Sequence, residues 1–180
     1  MRRGLRDEAY LEFATARGGH LYRSACLLTS GDTHLAEDLT QETLGRMYVL
    51  WGRISRIDNP AAYAQTVLVR TFLSQQRRRS ASERPIGEFP DGAGGAGGDR
   101  AGGDPAGSDP ALRMTLLHAL GRLAPKDRAV IVLRYWEDRS VEETADAMHV
   151  SSAAVRTRSV RALAKLREQL GGDLVEFASR

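Results

Sequence analysis

Residues 85–109 limit the architecture before any helix is placed. From Ile86 to Asp109 the sequence runs IGEFPDGAGGAGGDRAGGDPAGSD, with half of the chain's 18 glycines and almost no apolar side chain large enough to bury. Ordering such a stretch costs backbone entropy that so few contacts cannot return, so it reads as a flexible linker. The 180-residue chain is thereby divided into a block at 1–84, the linker at 85–109, a block at 110–172 and a short tail at 173–180. With 42% hydrophobic and 27% charged residues, this composition suits one or two small soluble domains, each with a modest core.

Charge follows the same division. Residues 1–84 carry 13 basic and 9 acidic side chains, 85–109 carry 1 and 5, and 110–180 carry 12 and 9, within a net charge of +3. Two basic blocks that suit phosphate backbones therefore flank an acidic strap, which such backbones would repel. The strap fits either a passive tether or a segment lying along a basic protein channel.

Neither block contains an alternating strand pattern of useful length, so the expected fold class is all-α, two small helical domains joined by the Gly/Asp-rich linker. In the first block helices are expected from about Leu5 to Arg17, Gly19 to Thr29, Thr33 to Trp51 and Pro60 to Arg79. Asp32 or Thr33 caps the third, and Pro60 stands in the first turn of the fourth. In the second block Asp109 and Pro110 form a cap and first-turn pair leading through Leu112, Leu116, Leu117 and Leu120 to Leu123. Pro125 opens a further helix carrying Val130, Ile131 and Leu133.

The stretch from Ser140 to Arg167 reads as a helix-turn-helix. Ser140 and Glu143 have the spacing of a capping box, Ala145 is small enough for a close helix crossing, and His149 and Val150 fit the tight turn. Ser151 or Ser152 then caps a second helix that runs to about Gln169 and stops at Gly171 and Gly172. On this helix Val155, Ala162, Leu163 and Leu166 share the side that must pack, while Arg156, Thr157, Val160 and Arg161 share the other. Guanidinium can pair with guanine in a major groove and valine can touch a thymine methyl. The bland alternative is a solvated basic helix at the end of a bundle.

Between Thr33 and Trp51, Leu35, Leu39, Met47, Leu50 and Trp51 fall on one arc and Asp38, Gln41, Glu42 and Gly45 on the opposite one. The polar arc is flat and acidic enough to dock on a basic coiled coil, although periodicity alone favours a solvated face. The helix from Pro60 uses Tyr63, Val67, Leu68 and Phe72 for packing and carries Arg70, Arg77, Arg78 and Arg79 toward its end, where cations also complement the helix dipole. The loop from Gly52 to Pro60 lies between Tyr48 or Trp51 and Tyr63. Aromatic groups beside basic ones can hold an unstacked base, although aromatics at helical spacing are more often core.

Cys26 is the only cysteine, which excludes an intrachain disulfide and leaves a cysteine-based zinc site without partners. His20, His34, His118 and His149 show no ligand spacing, so neither metal nor cofactor is expected. No run of about twenty apolar residues exists, and the N-terminal arginines precede no signal-peptide core, so a cytoplasmic protein without a membrane partner is expected.

Three segments carry a resemblance: AEDLTQETL at Ala36 to Leu44, NPAAY at Asn59 to Tyr63, and LAPKDRAVIVLRYWEDRSVEETA from Leu123 to Ala145. Together they resemble the extracytoplasmic-function sigma factors of the sigma-70 family, across both blocks and in the same order. LYRSACLLTSGD, the tryptophan before GRI and the RRR run look closest to the sigma-E-like subgroup.

The resemblance implies a sigma-2 domain whose Asp38, Gln41 and Glu42 bind the clamp helices of the polymerase largest subunit. It implies that Ser55, Asp58, Asn59, Tyr63, Arg70 and Arg77 serve the minus-10 element, with a flipped base in the loop pocket. It also implies a sigma-4 domain near the polymerase flap. There Ser152, Arg156, Thr157, Val160 and Arg161 would read the minus-35 major groove, and Arg134 would meet a phosphate. The strap would run toward the RNA exit path, and an inhibitory anti-sigma factor would cover both blocks. Two departures stand out: Arg70 replaces the family's usual asparagine at the flipped-base pocket, and Ala154 stands where threonine is common.

The rival function is a free-standing helix-turn-helix regulator, which leaves AEDLTQETL unexplained and usually requires a dimer for paired half-sites. An enzyme with Cys26 as nucleophile lacks a histidine or aspartate placed beside it by any motif, so a buried apolar thiol is the better reading.

Overall fold

The computed structural model describes residues 2–82 and 110–171, and among these every regular element is helical. The first block consists of α1 (Arg2–Leu28), α2 (Thr33–Ile54) and α3 (Pro60–Ser82); the second of α4 (Pro110–Gly121), α5 (Pro125–Ile131), α6 (Val141–Met148) and α7 (Ser152–Leu170). The linker and the tail expected from the sequence, with Asp109 as a cap, lie outside the described residues.

Helix α1 corrects one expectation. Leu5–Arg17 and Gly19–Thr29 form a single helix of 27 residues, because Gly18 and Gly19 keep helical backbone and neither has positive φ. An interior glycine costs only about 1 kcal/mol relative to alanine. The apolar stripe of Tyr10, Phe13, Leu21, Ala25 and Leu28 continues across the pair and packs into the core. Helix α1 ends where Ser30 and Gly31 adopt φ of 59° and 89°. Glycine suits Gly31 because its φ of 89° strains any L side chain, and an added Cβ would also press on Leu117 Cδ1 at 3.1 Å.

Asp32 caps α2 by accepting from the Leu35 amide at 3.0 Å, and Asn59 does the same for α3, accepting from the Ala62 amide at 2.9 Å. Helix α2 runs one turn past Trp51 to bury Ile54, whereas Leu50, expected on the packed arc, is 38% exposed. One residue is a rotation of about 100°, enough to carry Leu50 off the stripe that holds Met47, Trp51 and Ile54. Leu112 is likewise exposed, because packing of α4 starts one turn later at Leu116 and Leu117.

Helix α5 is central to the second block: residues 127–133 are buried without interruption. Instead of stopping, it widens into a π-helical turn over Val132–Trp136, closed by the Glu137 amide donating to the Val132 carbonyl at 3.0 Å. The capping box at Ser140 and Glu143 is present in both directions, and His149 ends α6 in the left-handed conformation at φ 54°. Val155, Ala162 and Leu166 of α7 are buried, as its periodicity requires.

The two blocks are packed against each other. One apolar cluster joins Leu21, Leu39, Met47, Leu68 and Phe72 of the first block to Val130, Leu133, Met148 and Val155 of the second. A smaller one, around Leu120, Leu123, Ile131, Ala162 and Leu166, lies within the second block and touches Leu27 of α1. Full burial of each large apolar side chain contributes about 1.5–3 kcal/mol.

Candidate nucleic-acid interface

Helix α7 displays Arg156, Thr157, Val160 and Arg161 on its exposed side, and Val160 is 71% exposed although it is apolar. Ser151 is the residue that caps α7, accepting from the Ala154 amide at 3.1 Å, and Ser152 follows half-buried in the first turn. Arg156 reaches Glu142 at 3.2 Å, an exposed pair of little energetic weight. Arg161 is held differently. Its Nη2 donates to both oxygens of Asp127 at 2.9 and 3.0 Å, while Arg158 Nη1 donates to the same carboxylate at 2.7 Å. Burial of Asp127 pulls its pKa up, but the two guanidiniums outweigh that and hold the carboxyl below its ordinary range.

On α2, Asp38 and Gln41 are exposed beside one another, with Gly45 a turn further on. Glu42 accepts from Arg46 at 2.6 Å and from Gln75 of α3 at 2.8 Å. Partial burial opposes ionisation, yet these hydrogen bonds prevail and depress its pKa. The acidic face is therefore anchored to α3 at one corner and open elsewhere.

Ser55, Asp58 and Asn59 are exposed between α2 and α3, and the Asn59 carboxamide oxygen is committed to capping. Tyr63 is half-buried against the shared core, and Arg77 is exposed. Arg70 points across to the second block, donating Nε to the Ala147 carbonyl at 2.8 Å and Nη2 to the Asp146 carbonyl at 3.0 Å. Arg134 is turned inward as well: it donates to the Arg139 carbonyl and lies 5.9 Å from the centre of the Tyr135 ring.

The seam between the blocks holds functional-looking residues that the sequence did not single out. Glu137, with its side chain 3% exposed, accepts from Ser24 Oγ at 2.5 Å and from Gln65, and lies 2.9 Å from His20 Nε2. Trp136 Nε1 donates to Ser24 Oγ at 3.0 Å. Arg139 donates to the Ala62 carbonyl, to Thr66 at 3.0 Å and to Gln65 at 3.2 Å. Arg128 donates to the carbonyls of Leu28, Gly121 and Leu123 at 2.7, 3.0 and 3.1 Å. Burial lowers the pKa of both these arginines, but a guanidinium starts so high that it stays charged. No local pattern marks Glu137 or Arg139, whereas the buried Asp127 and Arg128 are adjacent in the first turn of α5.

Cys26 is 6% exposed, and burial pushes its thiol up, which disfavours the thiolate a nucleophile needs. Among the described residues no helix is long and apolar enough to cross a membrane.

Two family profiles match the chain: Sigma-70 region 2 over residues 15–82 and Sigma-70, region 4 over residues 119–168. Similar proteins include the RNA polymerase sigma-E factor of Streptomyces coelicolor, 37% identical over 88% of this chain and 84% of that protein. That of Streptomyces avermitilis is 38% identical over 88% and 83%. Among solved structures, RpoE from Bartonella quintana, crystallised with the anti-sigma factor NepR, aligns with a TM-score of 0.69 at 24% identity over 92% of this chain and 99% of that one. CnrH in complex with the cytosolic domain of CnrY aligns at 0.60 and 20% identity over 93% and 90%. At such identities these two structures speak to the fold alone.

Proposed function

The chain belongs to the extracytoplasmic-function branch of the sigma-70 family and is a sigma factor, and from that premise we propose how its residues divide the work. It is a non-enzymatic initiation factor that serves core RNA polymerase and promoter DNA. Asp38, Gln41 and Glu42 dock on the clamp helices of the largest subunit. Ser55, Asp58, Asn59, Tyr63, Arg70 and Arg77 serve the minus-10 strand. Arg156, Thr157, Val160 and Arg161, with Ser152 at the start of α7 and Arg134 on a phosphate, serve the minus-35 groove, and the second block sits near the flap. The domain boundaries follow the blocks at 1–84 and 110–172, and the setting is the cytoplasm.

The observation that carries this reading is the order of the two matched regions, together with a helix that buries Val155, Ala162 and Leu166 and exposes Arg156, Thr157, Val160 and Arg161. A free-standing regulator would have no use for the exposed Asp38 and Gln41 face. Because Arg70 is engaged across the seam, its use on DNA requires the seam to open when polymerase separates the blocks, whereas Arg134 is held within the second block and has only to release the Arg139 carbonyl. An inhibitory anti-sigma partner fits the same packed arrangement, and NepR on RpoE gives the precedent.

Run-off transcription with core bacterial polymerase and a pool of promoter fragments tests this directly. Start sites that depend on the chain are expected, and Glu42→Lys should abolish them with the fold intact. DNA binding by the chain alone, with no affinity for core, would favour the free-standing regulator.

A further inference from the structure

Asp127 is an unusual neighbour for a nucleic-acid surface. A carboxylate repels phosphate, yet this one lies directly behind the exposed face of α7, with its side chain 2% exposed. Its two cationic partners differ: Arg158 is 26% exposed and Arg161 is 53% exposed. Arg161 uses a single nitrogen, Nη2, to bridge both carboxylate oxygens. That contact tethers the guanidinium at Nη2 beside the buried carboxylate, while Nη1 and Nε make no hydrogen bond to Asp127. The same guanidinium borders a shallow hollow lined by Ala153, Ala154, Thr157, Arg158 and Arg161. Two alanines form part of the hollow's lining, so a base edge or phosphate can approach Thr157 and Arg161 closely.

We propose that Asp127 is a positioning residue for sequence recognition: it holds Arg161 in one orientation at the edge of this hollow, so that Arg161 discriminates one base pair of the minus-35 element. An unsupported arginine loses side-chain entropy on fixing its fork and can slide to a neighbouring phosphate. One clamped by a buried carboxylate has already lost that freedom, and its discrimination rises for that reason. The inference rests on the proposed contact between α7 and the minus-35 groove.

The test uses the full chain with core polymerase to select binders from duplexes randomised across the minus-35 region, reading selectivity at each base position. Arg161→Ala should flatten one position. Asp127→Asn should flatten that same position, by about tenfold in preference, while total DNA affinity holds or rises because a negative charge is gone. The double variant should be no flatter than either single one. Asp127→Glu, which keeps the charge but moves the oxygens, covers the case in which Asp127→Asn does not fold, and it should lose part of the same selectivity. Unchanged selectivity in a folded Asp127 variant would overturn the inference, and so would uniform weakening at every position, the mark of a merely structural role. If Arg161→Ala flattens nothing, it is instead the assignment of α7 to the groove that fails.

Discussion

Across the seam, Arg70, Arg128 and Arg139 each donate to backbone carbonyls of the facing block, whereas on the outer side of α7 Arg156 and Arg161 hold carboxylates and keep part of their guanidinium in solvent. The donors are chemically identical, and the acceptors decide what each can do. Arg128 serves the buried carbonyls of Leu28 and Leu123, so removing it leaves unsatisfied dipoles in low dielectric. Glu142, the partner of Arg156, is exposed and can be rehydrated, which frees that guanidinium for a phosphate or a base, whereas Arg161 stays half-exposed while held by the buried Asp127. Arg128 therefore holds the two blocks together, whereas Arg156 and Arg161 keep much of their side chains in solvent.

The largest effect that would separate the two regions is Arg128→Ala. With three carbonyls orphaned, unfolding in urea should show a loss of about 3 kcal/mol or more. Glu137→Ala comes next: Ser24, Gln65 and His20 lose a shared acceptor, and a loss of about 2 kcal/mol is expected. Because the deficit falls where α1 and α3 meet the π-helical turn, amide exchange should accelerate first there, before the interior of α2. Equal acceleration throughout would mean that the seam is not a separate unit. On the α7 side, Arg156→Ala should change stability by less than about 0.5 kcal/mol. A change as large as that at Arg128 would erase the contrast.

The smallest effect is one of pH. The folded-state pKa of Asp127 is depressed, so its ion pairs stabilise the protein above the ordinary carboxylate range. That stabilisation is lost as pH falls through the depressed value. Comparing Asp127→Asn with the native chain, the difference in unfolding free energy should shrink on acidification, and a difference independent of pH would remove the charge from the account.

What the sequence made legible is what is decided within about four residues. Ser140 with Glu143, Asn59 before Pro60, Pro125 and the left-handed His149 all act locally, and each stands where the pattern put it. Periodicity likewise sorted the two sides of α7. Gly18 and Gly19 misled because their local weakness is overridden by packing on both flanks. The seam left no trace in the sequence: Glu137 meets His20 across 117 positions and Arg70 meets Ala147 across 77. Arg70 and Arg134 could be proposed for DNA from the resemblance, but only the structure places their guanidiniums on backbone carbonyls.

The π-helical turn at Val132–Trp136 holds one residue more than an α-helical turn would between the buried end of α5 and the seam. The Glu137 amide reaches back five residues to the Val132 carbonyl, so loss of one residue inside the turn would close the same bond as an ordinary α-helical one and leave the downstream backbone close to its place. The turn therefore acts as slack in the chain: it can take up or release a single residue with little movement of Glu137 and Arg139 against the first block.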